Sequence, residues 1–298
     1  MVHGVTEQEL SRFVLPSFTE EELAASKRKQ GIATLRLRGR YWQRRLMTFY
    51  QPVHLAARLT PAQASLARFS CLGFRAGLQG QNGKSNGTIP LYVINDIQDY
   101  GWHRIQSRRR TQVRKCLETL EYVRVTDPER RVEQGYPVML SGLERTRYKA
   151  PMKRERFRKY MTAFISNDKN LVIGAFKEGK LVAFLTGYAV GDIAYHESTY
   201  VAEEGLPDSA GSGLMYLFLE VCSRSPGIRQ VVSGTVSLDN EGLHRFKKHM
   251  GFELESLPTY YWLNPVVANV LKRYSPRAYH RWVGAAEGWT ESPPAATA

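Results

Sequence analysis

No stretch of this 298-residue chain approaches the roughly 18 consecutive apolar residues that a membrane-spanning helix requires. The opening MVHGVTEQEL also lacks the basic segment and apolar run of a secretory signal. A cytoplasmic protein without a transmembrane segment is therefore expected. Cysteine is scarce: Cys71, Cys116 and Cys222 form no CxxC pair and no Cys/His ligand spacing, which argues against disulfides and a structural zinc, so no metal is expected. Cys116 and Cys222 fall among helical apolar positions and read as buried thiols. No Cys/His or Ser/His/Asp arrangement stands out, which argues against a covalent enzyme intermediate.

Acidic residues thin out in three places. Residues 27–45 hold eight Lys/Arg and no acid, 101–120 hold six against one Glu, and 143–160 hold eight against two. The net charge is +14 and the pI about 9.7. Such an excess points to an anionic partner: a phosphorylated cofactor, RNA, a polyanionic sugar or an acidic membrane surface. Any single run also reads as a solvated face. With 43% hydrophobic and 23% charged residues, the chain has the make-up of a globular protein with room for one large or two small domains.

Thr19 and Glu22 form a capping box opening a short helix that ends at Gly31. Two apolar runs within 41–59, split by Gln51-Pro52, suggest paired strands; a turn-rich stretch, 79–88, leads to a strand over 89–94. Residues 99–120 turn helical, with Val113, Cys116, Leu117 and Leu120 on one face. After a strand at 121–125 come two helices over 128–148 and 152–165, then strands over 171–176, 181–190 and 193–201 joined as hairpins. A loop over 202–212 leads into a helix carrying Leu214, Leu217, Phe218 and Val221; a strand at 229–233, a helix at 239–250 and a strand at 259–263 follow.

The stretch 231–252, VVSGTVSLDNEGLHRFKKHMGF, joins a strand, a polar turn and a helix ending at Gly251-Phe252. With the element order it resembles the GNAT acyltransferases, and its GL-x-RFK-x-x-x-G wording resembles their FemAB-like branch. The resemblance implies an α/β (α+β) fold with a mixed central sheet flanked by helices, in a domain over 100–265. Before it lies a smaller α/β unit, 1–99, that reads as a degenerate second half. A basic helix over 266–283 is expected to pack on the body, with peripheral contact to an anionic membrane as the alternative, and the tail 284–298 to be disordered.

The resemblance also implies roles. Gly211, Ser212, Gly213 and Leu214 match the loop and helix start that hold the donor's pyrophosphate, where unpaired N–H groups and the helix dipole favour anions, although Asp208 stands where Arg or Gln is usual. Thr199, Tyr200 and Val201 would hold the acyl arm through their backbone, with Asn240 nearby. Lys247 replaces the tyrosine that often protonates the leaving thiolate; it either stabilises developing charge or, like Lys248, covers a solvated helix face. Tyr260 or Tyr261 could supply the acid instead, though adjacent strand tyrosines point to opposite faces. Alternation groups His196, Ser198 and Tyr200 against Tyr195, Glu197 and Thr199, making Glu197 the first candidate base and His196 the second. Tyr148 and Lys149 match the loop that selects the acceptor.

The expected function is direct transfer of an acyl group, acetyl by default, from acyl-CoA as co-substrate to a small-molecule or peptidyl primary amine. Alternatives are a FemAB-like transfer from aminoacyl-tRNA, which the basic runs would suit, and a degenerate, non-catalytic GNAT module.

Overall fold

The computed structural model describes residues 10, 12–66, 71–80, 85–146, 150–236, 240–275, 279 and 283. In chain order the elements are β1 (Ser17–Phe18), α1 (Glu20–Lys29), β2 (Thr34–Leu37), β3 (Arg40–Leu46), β4 (Phe49–Pro52), β5 (Arg58–Leu59), α2 (Pro61–Ala64), β6 (Gly73–Leu78) and β7 (Gly87–Asn95). There follow α3 (Ser107–Thr119), β8 (Glu121–Arg124), α4 (Pro128–Thr146), α5 (Arg154–Ile165), β9 (Asn170–Lys177), β10 (Lys180–Val190) and β11 (Ile193–Val201). The last are α6 (Ala210–Arg224), β12 (Gln230–Thr235), α7 (Glu241–His249), β13 (Glu253–Leu263) and α8 (Pro265–Tyr274). The order from β8 onward is the one the sequence pattern indicates. Tyr148, Lys149 and the tail 284–298 lie outside the described residues.

Several boundaries differ from the sequence expectation; β13, for one, starts at Glu253 rather than at 259. Residues 97–104 form two short 3₁₀ turns, so α3 starts at Ser107 rather than near 99. Helix α6 starts at Ala210, which places Gly211, Ser212 and Gly213 in its first turn instead of the preceding loop. Local chemistry explains other limits. Thr19 Oγ1 accepts the Glu22 N–H while Glu22 Oε2 accepts the Thr19 N–H, closing the capping box of α1. Glu178 and Gly179, at φ +50° and +76°, both take the left-handed conformation at the β9–β10 turn.

The chain divides into two compact units. The first comprises Met1–Gly31, Val93–Ser233 and Phe246–Glu253; the second comprises Ile32–Tyr92, Gly234–Arg245 and Leu254–Ala298. Helix α1, read from the sequence as part of an amino-terminal unit, belongs with the first.

In the first unit the strands run β8-β9-β10-β11-β12, antiparallel as far as β11 and parallel from β11 to β12. Helices α4 and α5 cover one face, where Phe157 meets Phe184 of β10. Helix α6 covers the other, with Phe218 pressed onto Gly187, a position with no room for a Cβ. Cys116 and Cys222 are buried, as their helical positions imply, and so is Cys71 in the second unit.

In the second unit β2, β3 and β4 are antiparallel neighbours, β4 runs parallel to β6, and β6 pairs antiparallel with β13. One face buries Trp42, Leu59, Phe74 and Leu78, with Tyr260 and Trp262 packed against them. The other buries Phe49 and Leu263 under Val267 and Ala268 of α8 together with Tyr279 and Val283. Among the described residues no helix is long and apolar enough to cross a membrane.

Candidate active site

The site begins with a defect in strand pairing. Strands β10 and β11 are in register from Val190↔Ile193 to Gly187↔His196, and pairing resumes at Thr186↔Ser198, leaving Glu197 as the extra residue of a β-bulge. A bulge shifts the phase of side-chain alternation. His196 points towards Phe218 of α6, at 6.1 Å between rings, and bonds Thr199 through Nε2 to Oγ1 at 2.7 Å. Ser198 instead bonds Thr186 at 2.7 Å, and Tyr200 packs on Phe184 at 5.2 Å, on the opposite face. The alternation drawn from the sequence, which put His196 with Ser198 and Tyr200 and set Thr199 against it, is thereby corrected.

Strand β11 also leaves its other neighbour. It pairs with β12 at only three rungs, Ile193↔Gln230, Ala194↔Val231 and Tyr195↔Val232, and the next residues, His196 and Ser233, stand where the strands part. Lys247 of α7 reaches into this wedge. It is 3% exposed, its Nζ donates to Ser233 Oγ and lies 3.4 Å from His196 Nδ1, and its ammonium sits 4.9 Å from the Phe252 ring centroid. The solvated-face alternative is thus excluded for Lys247, while Lys248 is exposed and Arg245 pairs with Glu241 at the surface.

The hydrogen-bond directions are mutually consistent. Lys247 donates to Ser233, the Ser233 hydroxyl donates to His196 Nδ1 at 2.6 Å, and His196 Nε2–H donates to Thr199. This requires a neutral imidazole. Removal from water, with the neighbouring Lys247 charge, pushes His196 well below its ordinary value and supplies that form. Burial also brings Lys247 down to about 7, so its two protonation states are nearly balanced near neutrality.

Glu197 occupies the opposite face. Its Oε1 lies 3.8 Å from Lys27 Nζ of α1, and its carboxylate accepts from the Tyr160 hydroxyl of α5. Burial, then the Glu197 charge and this bond, raise Tyr160 well above its usual range. Lys27 also lies 5.0 Å from the Tyr188 ring centroid. The two candidate bases therefore point apart, and Glu197 is held by two partners, Lys27 and Tyr160, that no short residue pattern places beside it.

At the start of α6, Ser212 is buried and its Oγ accepts from Arg109 Nη1 of α3 at 3.0 Å. Arg109 lies 5.0 Å from the Phe246 ring centroid and is lowered by its own burial and then by the Arg108 charge. Asp208, the departure from the expected motif, pairs with Lys177 at 2.7 Å. Its charge is compensated, and Arg109 brings a cation to the helix end. Gly211 abuts Val201. Gly213 backs onto Tyr122 and Cys116, where a Cβ would have no room, so its smallness serves helix packing. Leu214 is core.

The remaining candidates lie in the second unit. Asn240 accepts the Leu243 N–H at 2.9 Å and caps α7. Tyr260 packs against Phe74, and Tyr261 packs on the α8 side, where its hydroxyl bonds Tyr279. They face opposite ways, as adjacent strand residues must. Sequence reasoning missed Ser233, Tyr160 and Lys27 as partners, and it noted Arg109 only as part of a basic helix. Among the described residues no His/Cys/Asp/Glu group could hold a metal ion.

Comparison with known proteins agrees with this architecture. Residues 139–252 match the acetyltransferase (GNAT) family. The DUF2156 C-terminal domain of a putative lysylphosphatidylglycerol synthetase from Agrobacterium fabrum superimposes with a TM-score of 0.61 at 11% identity, covering 95% of this chain and 98% of that one. FemX superimposes with a TM-score of 0.57 at 10% identity, covering 91% and 98%. A conserved protein of unknown function from Bacteroides thetaiotaomicron gives 0.54 at 13% identity, covering 85% and 95%. No curated protein sequence matches the chain. With its bulged strand, its parted neighbour and a segment, 139–252, that matches the acetyltransferase (GNAT) family, the chain has a fold shared with FemX.

Proposed function

We propose that this protein transfers an acyl group directly to a primary amine, with Lys247 assisting departure of the leaving group. One observation carries the reading: a lysine buried to 3% exposure, lowered to about 7, and bonded among the described residues only to neutral groups where β11 and β12 part. A buried ammonium without a carboxylate is costly unless its charge or proton is used.

In the proposed reaction the amine nitrogen attacks the acyl carbon, a C–N bond forms, and the bond from carbon to the donor's sulfur or oxygen breaks. The proton released by the amine leaves to water rather than directly to Glu197, whose side chain lies on the face opposite Lys247. Lys247 gives a proton to the departing sulfur or oxygen, and the Ser233–His196 pair holds its ammonium in place. The first turn of α6 and Arg109 would hold the donor's phosphates. Tyr148 and Lys149 remain the proposed acceptor loop. The setting is cytoplasmic, where both candidate donors occur.

Two donors fit this chemistry. Acyl-CoA suits the helix end with its arginine; aminoacyl-tRNA is favoured by lysine in place of the usual tyrosine, by the FemX-like fold and by the basic runs. Titration calorimetry with acetyl-CoA and with charged tRNA separates them. The CoA reading predicts thioester binding weakened by Arg109→Gln. The tRNA reading predicts binding that falls steeply with salt. Failure of both, with folded protein, would leave the non-catalytic alternative.

A further inference from the structure

Helix α8 turns one side to the body of the second unit and leaves another open. Val267 and Ala268 pack against Phe49, Leu263 and Tyr279, whereas Val266, Val270 and Tyr274 are 70%, 50% and 73% exposed. At spacings of four residues these three form a continuous stripe of about 12 Å along the helix. Arg273, exposed, borders it beside Tyr274, while Lys272, also exposed, lies over the Tyr279 ring on the side of the helix away from the stripe.

A second exposed apolar residue stands at the same end of the sheet. Met47, 69% exposed, lies in the β3–β4 turn next to Thr48, whose carbonyl and hydroxyl both accept the Leu72 N–H; the Leu72 carbonyl in turn accepts the N–H of Asn264, which caps α8. Arg44 and Arg45 precede this turn and are exposed. The end of the unit thus presents exposed apolar side chains with exposed cations close to them along the chain.

The charge of the unit is lopsided. It carries fourteen Lys/Arg against five Asp/Glu, and residues 32–92 contain no acid at all. Of the acids among the described residues, Glu241 pairs with Arg245 and Glu255 with Arg58. A second copy of the chain seated on this face would bring like charges together. An anionic bilayer complements it: cations meet the headgroups while valine, methionine and the amphipathic tyrosine enter the interface.

We infer that α8 and the β3–β4 turn form a docking surface for anionic lipid membranes. The sequence reading sets packing on the body against contact with an anionic membrane; here one side packs and another is left for lipid. The inference does not depend on which acyl donor is used.

Co-sedimentation of the full-length protein with phosphatidylcholine vesicles, and with vesicles half phosphatidylglycerol, tests it. Binding to the anionic vesicles alone is expected. Val266→Ser/Val270→Ser/Met47→Ser and Lys272→Glu/Arg273→Glu should each weaken it by about tenfold, with near-ultraviolet circular dichroism unchanged. No binding to anionic vesicles at low salt overturns the inference, as does equal binding by both variants. A concentration-dependent dimer that the apolar variant abolishes would assign the face to a second copy instead, and would also overturn it.

Discussion

Two lysines of the first unit are removed from water, and they meet opposite surroundings. Lys27 has the Glu197 carboxylate at 3.8 Å and the Tyr188 ring beside it. Lys247 meets a serine hydroxyl, an imidazole and a phenyl ring, and among the described residues no carboxylate lies within ion-pair distance. The contrast teaches that burial of a charge is not by itself a functional mark. A compensated cation can hold two elements together; an uncompensated one is destabilising, and its persistence points to use.

The largest expected effect comes from removing the uncompensated lysine. Lys247→Met should lower kcat by about 10²–10³ while leaving KM for the donor nearly unchanged, measured by single-turnover acyl transfer with folded protein. Glu197→Gln sharpens the contrast from the other side, since it leaves Lys27 without its carboxylate. Because Glu197 faces away from Lys247, kcat/KM should change little while stability falls; a loss of about 10² in kcat/KM would instead make Glu197 the base.

Stability should respond to pH with a definite sign. Lys247 is lowered to about 7 from an ordinary 10.5, so between those values the unfolded chain binds more protons than the folded one. Folding stability from this group therefore rises with pH, and below 7 the full cost of burying the ammonium remains. Relative to Lys247→Met, the wild-type protein should gain about 2 kcal/mol between pH 7 and pH 9 in parallel denaturant titrations. Arg109→Gln should have a milder effect than Lys247→Met, about a tenfold rise in donor KM at nearly constant kcat.

Much of the fold could be read from residue patterns because its determinants are local. The capping box at Thr19, the helix over 154–165 and the β9–β10 turn each depend on neighbours within a few residues. Lys247 could be singled out because it interrupts an otherwise fitting helix pattern. What escaped is non-local. The bulge at Glu197 depends on pairing with β10 and reverses the alternation that the sequence suggests beyond it. Ser233 becomes a partner of Lys247 only because β12 leaves β11 after Tyr195. The docking of α1 beside Glu197 joins residues about 170 positions apart, beyond the reach of any short pattern. Gly213 resembled part of a phosphate loop, but the same residue type answers a packing need against Tyr122.

The central claim is that Lys247 is an uncompensated, working lysine, and its ε-amine can be observed directly. In protein labelled with ¹³C at lysine Cε, the pH titration followed by NMR should contain one resonance with its midpoint near 7 that is absent from Lys247→Met. The descending limb of kcat/KM should fall at the same pH. A Lys247 resonance that titrates with the exposed lysines, above about pH 10, would contradict the account.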